Sequence, residues 1–155
     1  MFVQLVRPLL EYCSPVWTPY TSGLTQDIER VQLRFLRIVG LRLGFRYRDV
    51  PIDDLRRQLH LCELSSRRQV ADLTFLRSIV TAEIDSPELL SRINFRCSRP
   101  SRSQDLFGRG YNSTVYAFNN TLPRLHRLGN SLPHHIDFFN MSPSLFKKEL
   151  LSLYM

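Results

Sequence analysis

The stretch LTQDIERVQLRFLRIVG, residues 24–40, decides the fold class. Its apolar residues recur at intervals of four, three, four and three, an order that places them on one side of an α-helix. They are Leu24, Ile28, Val31, Phe35 and Ile38. Acidic residues near the start suit the positive end of the helix dipole, and the closing glycine, Gly40, can cap the other end. The spacing therefore predicts a long amphipathic helix.

Helical patterns continue on both sides of this stretch. Residues 3–13 are apolar enough for a buried helix, and residues 50–59 carry acids near their start that favour a short one. Residues 65–84 have apolar side chains on two faces, which predicts a long helix at the centre of the core. Residues 86–93 open with the Ser-Pro pair that starts many short helices. We expect an all-α, multi-helix domain over residues 1–93.

Beyond residue 94 the composition changes. The sequence becomes rich in Arg, Ser, Asn, Gly and Pro and shows no sustained hydrophobic period. We therefore expect an irregular basic segment over residues 94–141, because a chain of 155 residues is long enough for one ordinary core plus a tail. Residues 142–155 begin with another Ser-Pro pair and predict a final helix that packs on the body. Its docking residues are expected to be Leu145, Phe146, Leu150 and Leu153.

Arginine dominates the positive charge of the chain. There are 21 basic and 14 acidic side chains, a formal net charge of +7, and the only lysines are Lys147 and Lys148. The guanidinium group is a planar fork of donors that binds phosphate and stacks on bases, so this excess favours a polyanionic partner. The alternative is that the arginines pair with acids and cover apolar surface within the fold.

Two stretches concentrate these arginines. The first, residues 30–68, has ten arginines against four acids; it covers one face of the helix and a predicted loop at 40–49, where Phe45 and Tyr47 alternate with arginines. Such alternation suits base stacking as well as phosphate contacts, although Phe45 is expected to fill the core instead. The second contains Arg92, Arg96, Arg99, Arg102 and Arg109, opposed only by Asp105. Its run SRPSRS, residues 98–103, predicts a flexible arm that orders on nucleic acid, with a disordered linker as the alternative. The candidate nucleic-acid-binding residues are Arg30, Arg34, Arg37, Arg42, Arg46, Arg48, Arg56, Arg57, Arg99 and Arg102.

Candidates for catalysis or metal binding are few. Asp53 and Asp54 are adjacent, but their Pro-Ile-Asp-Asp-Leu context predicts the first turn of a helix rather than a two-metal site. His60 and Cys62 have no further ligands at the spacing of a zinc site. The sequence also contains no glycine-rich phosphate loop and no nucleophile elbow. We expect no catalytic residue, no metal and no cofactor.

The cysteines and the amino-terminal residues bear on localisation. Cys13, Cys62 and Cys97 are odd in number and form no C-x-x-C pair, which indicates a reducing compartment. The apolar run at the start of the chain is interrupted by Arg7 and Pro8 before it reaches the length of a signal peptide or a membrane span. We expect an intracellular protein, cytoplasmic or nuclear, with no membrane segment.

Residues 5–20, LVRPLLEYCSPVWTPY, resemble a stretch that follows the polymerase core in reverse transcriptases of jockey-like non-LTR retrotransposons. Residues 27–37, DIERVQLRFLR, are similar to the helix that comes next in that family. Further similarity to the carboxyl-terminal pattern of the family is found at Tyr111, Arg127, 130–133 (NSLP), 136–139 (IDFF) and 146–147 (FK). The resemblance covers nearly the whole chain, and its first thirty-odd residues are the distinctive part.

The resemblance implies a thumb and post-thumb region that holds template and primer beside a polymerase core. The partners would be RNA or an RNA/DNA heteroduplex, together with the polymerase core that this chain lacks. The family's Tyr/Phe-x-Asp-Asp metal site is not met at Asp53 and Asp54, because Pro51 stands where the aromatic residue would be. The resemblance therefore implies a non-catalytic fragment of an RNA-directed DNA polymerase from a transposable element. The alternative is a helical protein-interaction module that binds acidic partners.

Overall fold

The computed structural model describes residues 2–96 and 105–154, and it confirms the all-α fold class. Within these ranges the chain forms nine α-helices and a π-helical turn at Phe2–Val6, and it forms no β-strand beyond an isolated bridge between Phe95 and Phe107. The helices are α1 (Arg7–Glu11), α2 (Ser14–Trp17), α3 (Ser22–Arg42), α4 (Ile52–Gln58), α5 (Leu64–Val80), α6 (Pro87–Ser91), α7 (Val115–Phe118), α8 (Thr121–Asn130) and α9 (Pro143–Tyr154). In the described ranges no helix combines the length and apolar character needed to cross a bilayer.

The chain divides into two compact units, the first ending at Arg68 and the second comprising Gln69–Tyr154. Each unit has its own hydrophobic cluster, so the prediction of a single core with a tail is wrong. The buried cluster of the first unit consists of Leu36, Val50, Leu55 and Leu61, with Phe35 and Ile52 packed against it. At the amino terminus, the ring of buried Phe2 stacks on that of Phe35 with centroids 4.5 Å apart.

Helix α3 was predicted, but the face that it buries was not. Its buried residues are Gln32, Leu36 and Gly40, whereas Leu24 and Ile38 of the predicted apolar stripe are exposed. Gln32 is tolerated inside because its side-chain amide donates to the carbonyl oxygen of Cys62 at 2.9 Å. The buried face is therefore rotated by about 100°, one residue's turn, from the face that the apolar spacing indicated.

The predicted glycine cap at the end of α3 is also wrong. Gly40 lies inside the helix, which ends at Arg42, and the left-handed residue that terminates it is Gly44, with a φ of 92°. The amide of Gly44 donates to the carbonyl of Leu41, and that of Phe45 donates to the carbonyl of Gly40, each at 3.1 Å. These two bonds form a Schellman motif, which satisfies carbonyls that the helix leaves unpaired. The predicted loop at 40–49 accordingly begins only after Arg42.

The amino-terminal segment does not form the continuous buried helix predicted for residues 3–13. It is split into the π-helical turn, α1 and α2, and Leu5 and Leu9 are exposed. The segment is bound to α5 through Glu11. The carboxylate of Glu11 accepts two hydrogen bonds from the guanidinium of Arg67, one of them at 2.9 Å. This pairing raises the pKa of Arg67, with the hydrogen bond from the guanidinium to Glu11 as its main cause.

The first turn of α5 is capped by a side chain from another helix. The carboxylate of Glu29, on α3, accepts from the backbone amides of Leu64 at 3.2 Å and of Ser65 at 2.6 Å. A carboxylate suits this position because the helix dipole places positive charge there. The predicted start at Ser65 is therefore close to the observed one, although the cap comes from α3 rather than from a serine.

The second unit has the larger hydrophobic cluster, to which α5, α8 and α9 contribute. Phe107 and Phe138 meet edge to face with centroids 5.5 Å apart, and Asn130 fixes the backbone of Phe107 by accepting from its amide and donating to its carbonyl. The expectation that 94–141 is irregular is thus wrong for α7, α8 and the core residues between and around them. For α9 the predicted docking is confirmed at Phe146 and Leu150 and wrong at Leu145 and Leu153, which are exposed.

Candidate nucleic-acid interface

The arginines predicted to line one face of α3 differ in what they contact. Arg30 is exposed and pairs with Asp27, one turn earlier on the helix, at 2.5 Å. Arg34 is exposed and makes no hydrogen bond or ion pair within the described residues. Arg37 is half-buried and donates to the hydroxyl of Tyr47 at 2.9 Å. Only Arg34 of the three therefore has its whole guanidinium available to a partner.

Tyr47 holds the loop after α3 against that helix. The guanidinium of Arg37 lies over the Tyr47 ring, with its central carbon 4.9 Å from the ring centroid, and also binds the hydroxyl. A cation over an aromatic face stabilises such a contact by about 0.5–1 kcal/mol at an exposed site. Tyr47 thus positions the loop, while Phe45, at 42% exposure, does not fill the core as predicted.

The loop carries further arginines that face solvent. Arg42, Arg46 and Arg48 are all exposed, and none of their side chains has a hydrogen bond or ion pair in the part of the chain that the structure describes. Asp49, the acid next to them in sequence, is exposed and forms no ion pair with a described residue. Arg34, Arg42, Arg46 and Arg48 are named here the exposed arginine group. Exposed apolar side chains lie among them in sequence: Ile38, Leu41 and Leu43.

The two candidate arginines on α4 are neutralised locally. Arg57 binds Asp54 at 2.6 Å, and Arg56 binds Glu63 at 3.0 Å with Asp53 at 3.9 Å. Asp53 and Asp54 each precede their arginine by three residues on the helix, a spacing at which side chains on one face meet, whereas Glu63 lies beyond the end of α4. Asp53 and Asp54 accordingly occupy the first turn of α4, as predicted, and serve as partners of arginines there.

The second basic stretch is only partly described. Arg99 and Arg102 lie outside the described residues. On either side of them, Arg96 and Arg109 approach the carboxylate of Asp105 at 3.9 and 3.4 Å. The flanks of this stretch are therefore ion-paired through one shared acid.

Four further arginines have a structural role. Arg67, Arg68, Arg77 and Arg124 approach carboxylates of Glu11, Glu29, Glu83 and Asp72, respectively. Arg68 and Asp72 are almost fully buried, at 2% and 1% exposure. The alternative that arginines pair with acids within the fold thus describes these residues, but it does not describe the exposed arginine group.

No cluster of three or more His, Cys, Asp or Glu residues that could hold a metal ion occurs among residues 2–96 and 105–154. A feature that sequence reasoning missed is a cavity in the second unit, lined by His126 together with Arg92, Arg109 and Arg127. Arg92 and Arg109 belong to the second basic stretch of the sequence, but His126 and Arg127 lie up to 35 positions from Arg92 and come together with it only through folding. The amphipathic pattern of residues 121–130 could have indicated helix α8, which carries His126 and Arg127.

Comparison of the chain with models of protein families, with curated proteins and with solved structures finds no match. The resemblance to a reverse transcriptase thus stays a prediction that rests on residues 5–20 and 27–37 of the sequence. A function has to be argued from the side chains that the fold exposes.

Proposed function

We propose that this chain binds nucleic acid as the thumb-like, non-catalytic part of a non-LTR retrotransposon reverse transcriptase. Its ligand would be RNA or an RNA/DNA heteroduplex, and it would work in the cytoplasm or nucleus beside a polymerase core. The observation that carries the proposal is the exposed arginine group, Arg34, Arg42, Arg46 and Arg48, which forms no ion pair among the described residues.

Most of the acids near the exposed arginine group in sequence are bound by other arginines. Asp27, Asp54 and Glu63 lie near in sequence, and each is bound to an arginine outside the group. Four guanidinium groups left without acids on a helix and its following loop repel one another, and phosphates would remove that repulsion. Because Tyr47 and the Schellman turn fix the loop, the backbone positions of its arginines are set before a ligand arrives.

A second candidate is a helical module that binds acidic proteins. It is favoured by the exposed apolar side chains among the arginines, since Ile38 is 53% and Leu43 is 61% exposed. A phosphate backbone offers little to bury such side chains, whereas an acidic helix with an apolar face would cover them. The two candidates differ in the ligand and in the dependence of binding on salt.

The test replaces the four arginines of the group by glutamine and measures binding to single-stranded RNA and to an RNA/DNA heteroduplex over a series of salt concentrations. If each arginine neutralises one phosphate, the slope of log affinity against log salt should fall by roughly 3 units on a single strand. A thermal melt of the same variant should be unchanged, because these side chains are exposed and make no described contact.

The matched control compares R42Q/R46Q with K147Q/K148Q, which removes the same charge from exposed positions on α9. We expect only R42Q/R46Q to lower the salt slope. Equal effects of the two pairs would show that net charge alone is measured, and an absence of binding to either nucleic acid at low salt would contradict the proposal and favour the second candidate.

A further inference from the structure

The second unit contains a cavity of about 310 Å³ that the proposed function does not use. Its wall is mostly apolar, with Phe118, Leu122 and Pro123, and polar groups lie at its edges. This volume is at the lower end of the range of small-molecule sites, and such sites combine apolar walls with a few polar groups in the same way.

His126 is one of the residues that line the cavity, and its side chain carries an unsatisfied polar atom. The residue is 8% exposed, its ring stacks on Phe107 with centroids 5.3 Å apart, and its Nε2 is buried with no hydrogen-bond partner in the described part of the chain. A buried polar atom without a partner is costly, and native proteins rarely keep one without a use. A ligand atom in the cavity would supply the missing hydrogen bond.

The charged residues of the wall favour a negatively charged ligand. Three arginines, Arg92, Arg109 and Arg127, line the cavity, and no Asp or Glu does so among the described residues. Arg127 is already held, because it stacks on Phe118 at 3.7 Å and donates to the side chain of Asn119 at 3.2 Å. Arg92 is exposed, and its side chain has no hydrogen bond or ion pair within the described chain. Arg92 is therefore the group best able to take an anion.

The geometry points to a site for a single nucleotide. The apolar wall receives the planar base, the Nε2 of His126 bonds a polar atom on the base edge, and the exposed Arg92 binds the phosphate, whereas Arg109 is paired with Asp105. Nearby, the side-chain amides of Asn94 and Asn112 offer further bonds to a base edge. The inference does not rest on the exposed arginine group, because that group belongs to the first unit and this cavity belongs to the second.

The first experiment titrates the full chain with uridine 5′-monophosphate, uridine and inorganic phosphate by calorimetry. We expect the nucleotide to bind, and to bind at least about tenfold more tightly than either of its parts, because only the nucleotide reaches both the apolar wall and Arg92. Equal affinity for phosphate and nucleotide, or no binding of the nucleotide at millimolar concentration, would overturn the inference.

The second experiment uses three variants of this unit. R92Q should weaken nucleotide binding by about tenfold or more, and H126F should weaken it by about tenfold, as expected for the loss of a charge-assisted and of a buried hydrogen bond. K148Q, which removes one charge from an exposed position on α9, serves as the control and should bind like the parent chain. Phenylalanine also has a ring that can stack on Phe107, so we expect H126F to fold, and a thermal melt checks this.

The source of the nucleotide is decided by a third titration. It uses a 5′-phosphorylated uridine pentanucleotide. If the pentanucleotide binds more tightly than the mononucleotide, and R92Q and H126F weaken its binding to the same extent, the natural ligand is the end of a strand. Tighter binding of the mononucleotide would identify a free nucleotide. Binding of both that neither R92Q nor H126F weakens would overturn the site.

Discussion

Arg124 and Arg34 illustrate two uses of one side chain in this protein. Arg124 binds both carboxylate oxygens of Asp72, at 2.9 and 3.3 Å, and Asp72 is buried. Arg34 is exposed and makes no described contact. Breaking a buried pair costs about 3–5 kcal/mol, whereas an exposed side chain can be replaced at little cost to folding. The first kind of arginine stabilises the fold, and the second kind is available to a ligand.

His126 makes stability depend on pH in the second unit. Burial lowers the pKa of His126 below the ordinary histidine value of 6.5, so the unfolded chain takes up this proton at a higher pH than the folded one. The contribution of neutral His126 to the free energy of unfolding is therefore complete above pH 6.5. It is lost as the pH falls from 6.5 toward the lower pKa of the folded state, by at most about 1.4 kcal/mol per pH unit.

Urea unfolding of the parent chain and of H126F between about pH 8 and pH 5 measures this loss. We expect the free energy of unfolding of the parent to fall more steeply than that of H126F, because phenylalanine cannot take up a proton. Parallel curves would contradict the prediction. The carboxylates of Glu83 and Asp137, whose pKa values are lowered, lose their partners only at more acidic pH and are common to both chains.

The sequence showed the arginines, but it predicted the binding partners of only some of them. The pairs Arg30 with Asp27 and Arg57 with Asp54 follow from their spacing of three residues on a helix. The contact of Arg37 with Tyr47 depends on the path of the loop, and no local spacing predicts it. The same is true of His126, whose burial is decided by residues far away in sequence.

Gly40 decides how closely α3 approaches the segment that follows the loop. A Cβ atom at this position would lie 2.8 Å from Cγ2 of Val50 and closer still to Cγ1. We expect G40A to lower the free energy of unfolding by about 1–3 kcal/mol, the usual cost of overpacking a core, although alanine itself favours helix formation. Urea unfolding measures the change.

The matched test of this contact is a double-mutant cycle with V50A. The combined variant G40A/V50A should lose less stability than the sum of its two single changes, because the shorter side chain leaves space for the new methyl group. Additive losses would mean that Gly40 is required for another reason. G23A, at a glycine with no neighbouring atom within 4 Å, is the control and should cost little.

At the level of elements, sequence reasoning predicted where most helices lie and less well which face they bury. In α3 the apolar spacing was misleading because Gln32 is buried by a specific hydrogen bond and Gly40 by close packing, neither of which counts as apolar. Helix α8 was missed because Pro123 and Gly129 interrupt its pattern. Proline is tolerated there because it lies in the first turn, next to Asn120, whose side chain caps the helix at 2.7 Å.

Within residues 2–96 and 105–154 there are two hydrophobic clusters where composition suggested one. The length limits the total buried area, but it does not say how that area is divided. The second cluster combines residues of α5 and α9 with residues in 94–141 whose apolar side chains are scattered in sequence. Phe107, Ile136 and Phe138 come from segments outside the helices, where hydrophobic periodicity gives no signal. Sequence reasoning therefore predicted the all-α class and a core helix at α5, and it missed the division into two clusters.

The amino-terminal segment exposes more large apolar side chains than its length would suggest. Leu5, Leu9, Tyr12 and Val16 are 61%, 77%, 75% and 72% exposed, and they fall within a dozen residues. Concentrated apolar exposure of this kind is typical of a surface that another chain covers. We expect the isolated chain to self-associate through it, with a sedimentation coefficient that rises as the protein concentration is raised.

The variant that tests this surface is L9E/V16E, and its control is V115E/Y116E, which adds the same charge at two side chains of the second unit that are each 70% exposed. Because a carboxylate cannot be buried without a partner, the first variant should sediment as a monomer at concentrations at which the parent chain associates. The control should associate like the parent, since its substitutions lie outside the amino-terminal segment. A parent chain that stays monomeric at high concentration, or equal dissociation of both variants, would show that the exposed apolar side chains of this segment do not hold copies of the chain together.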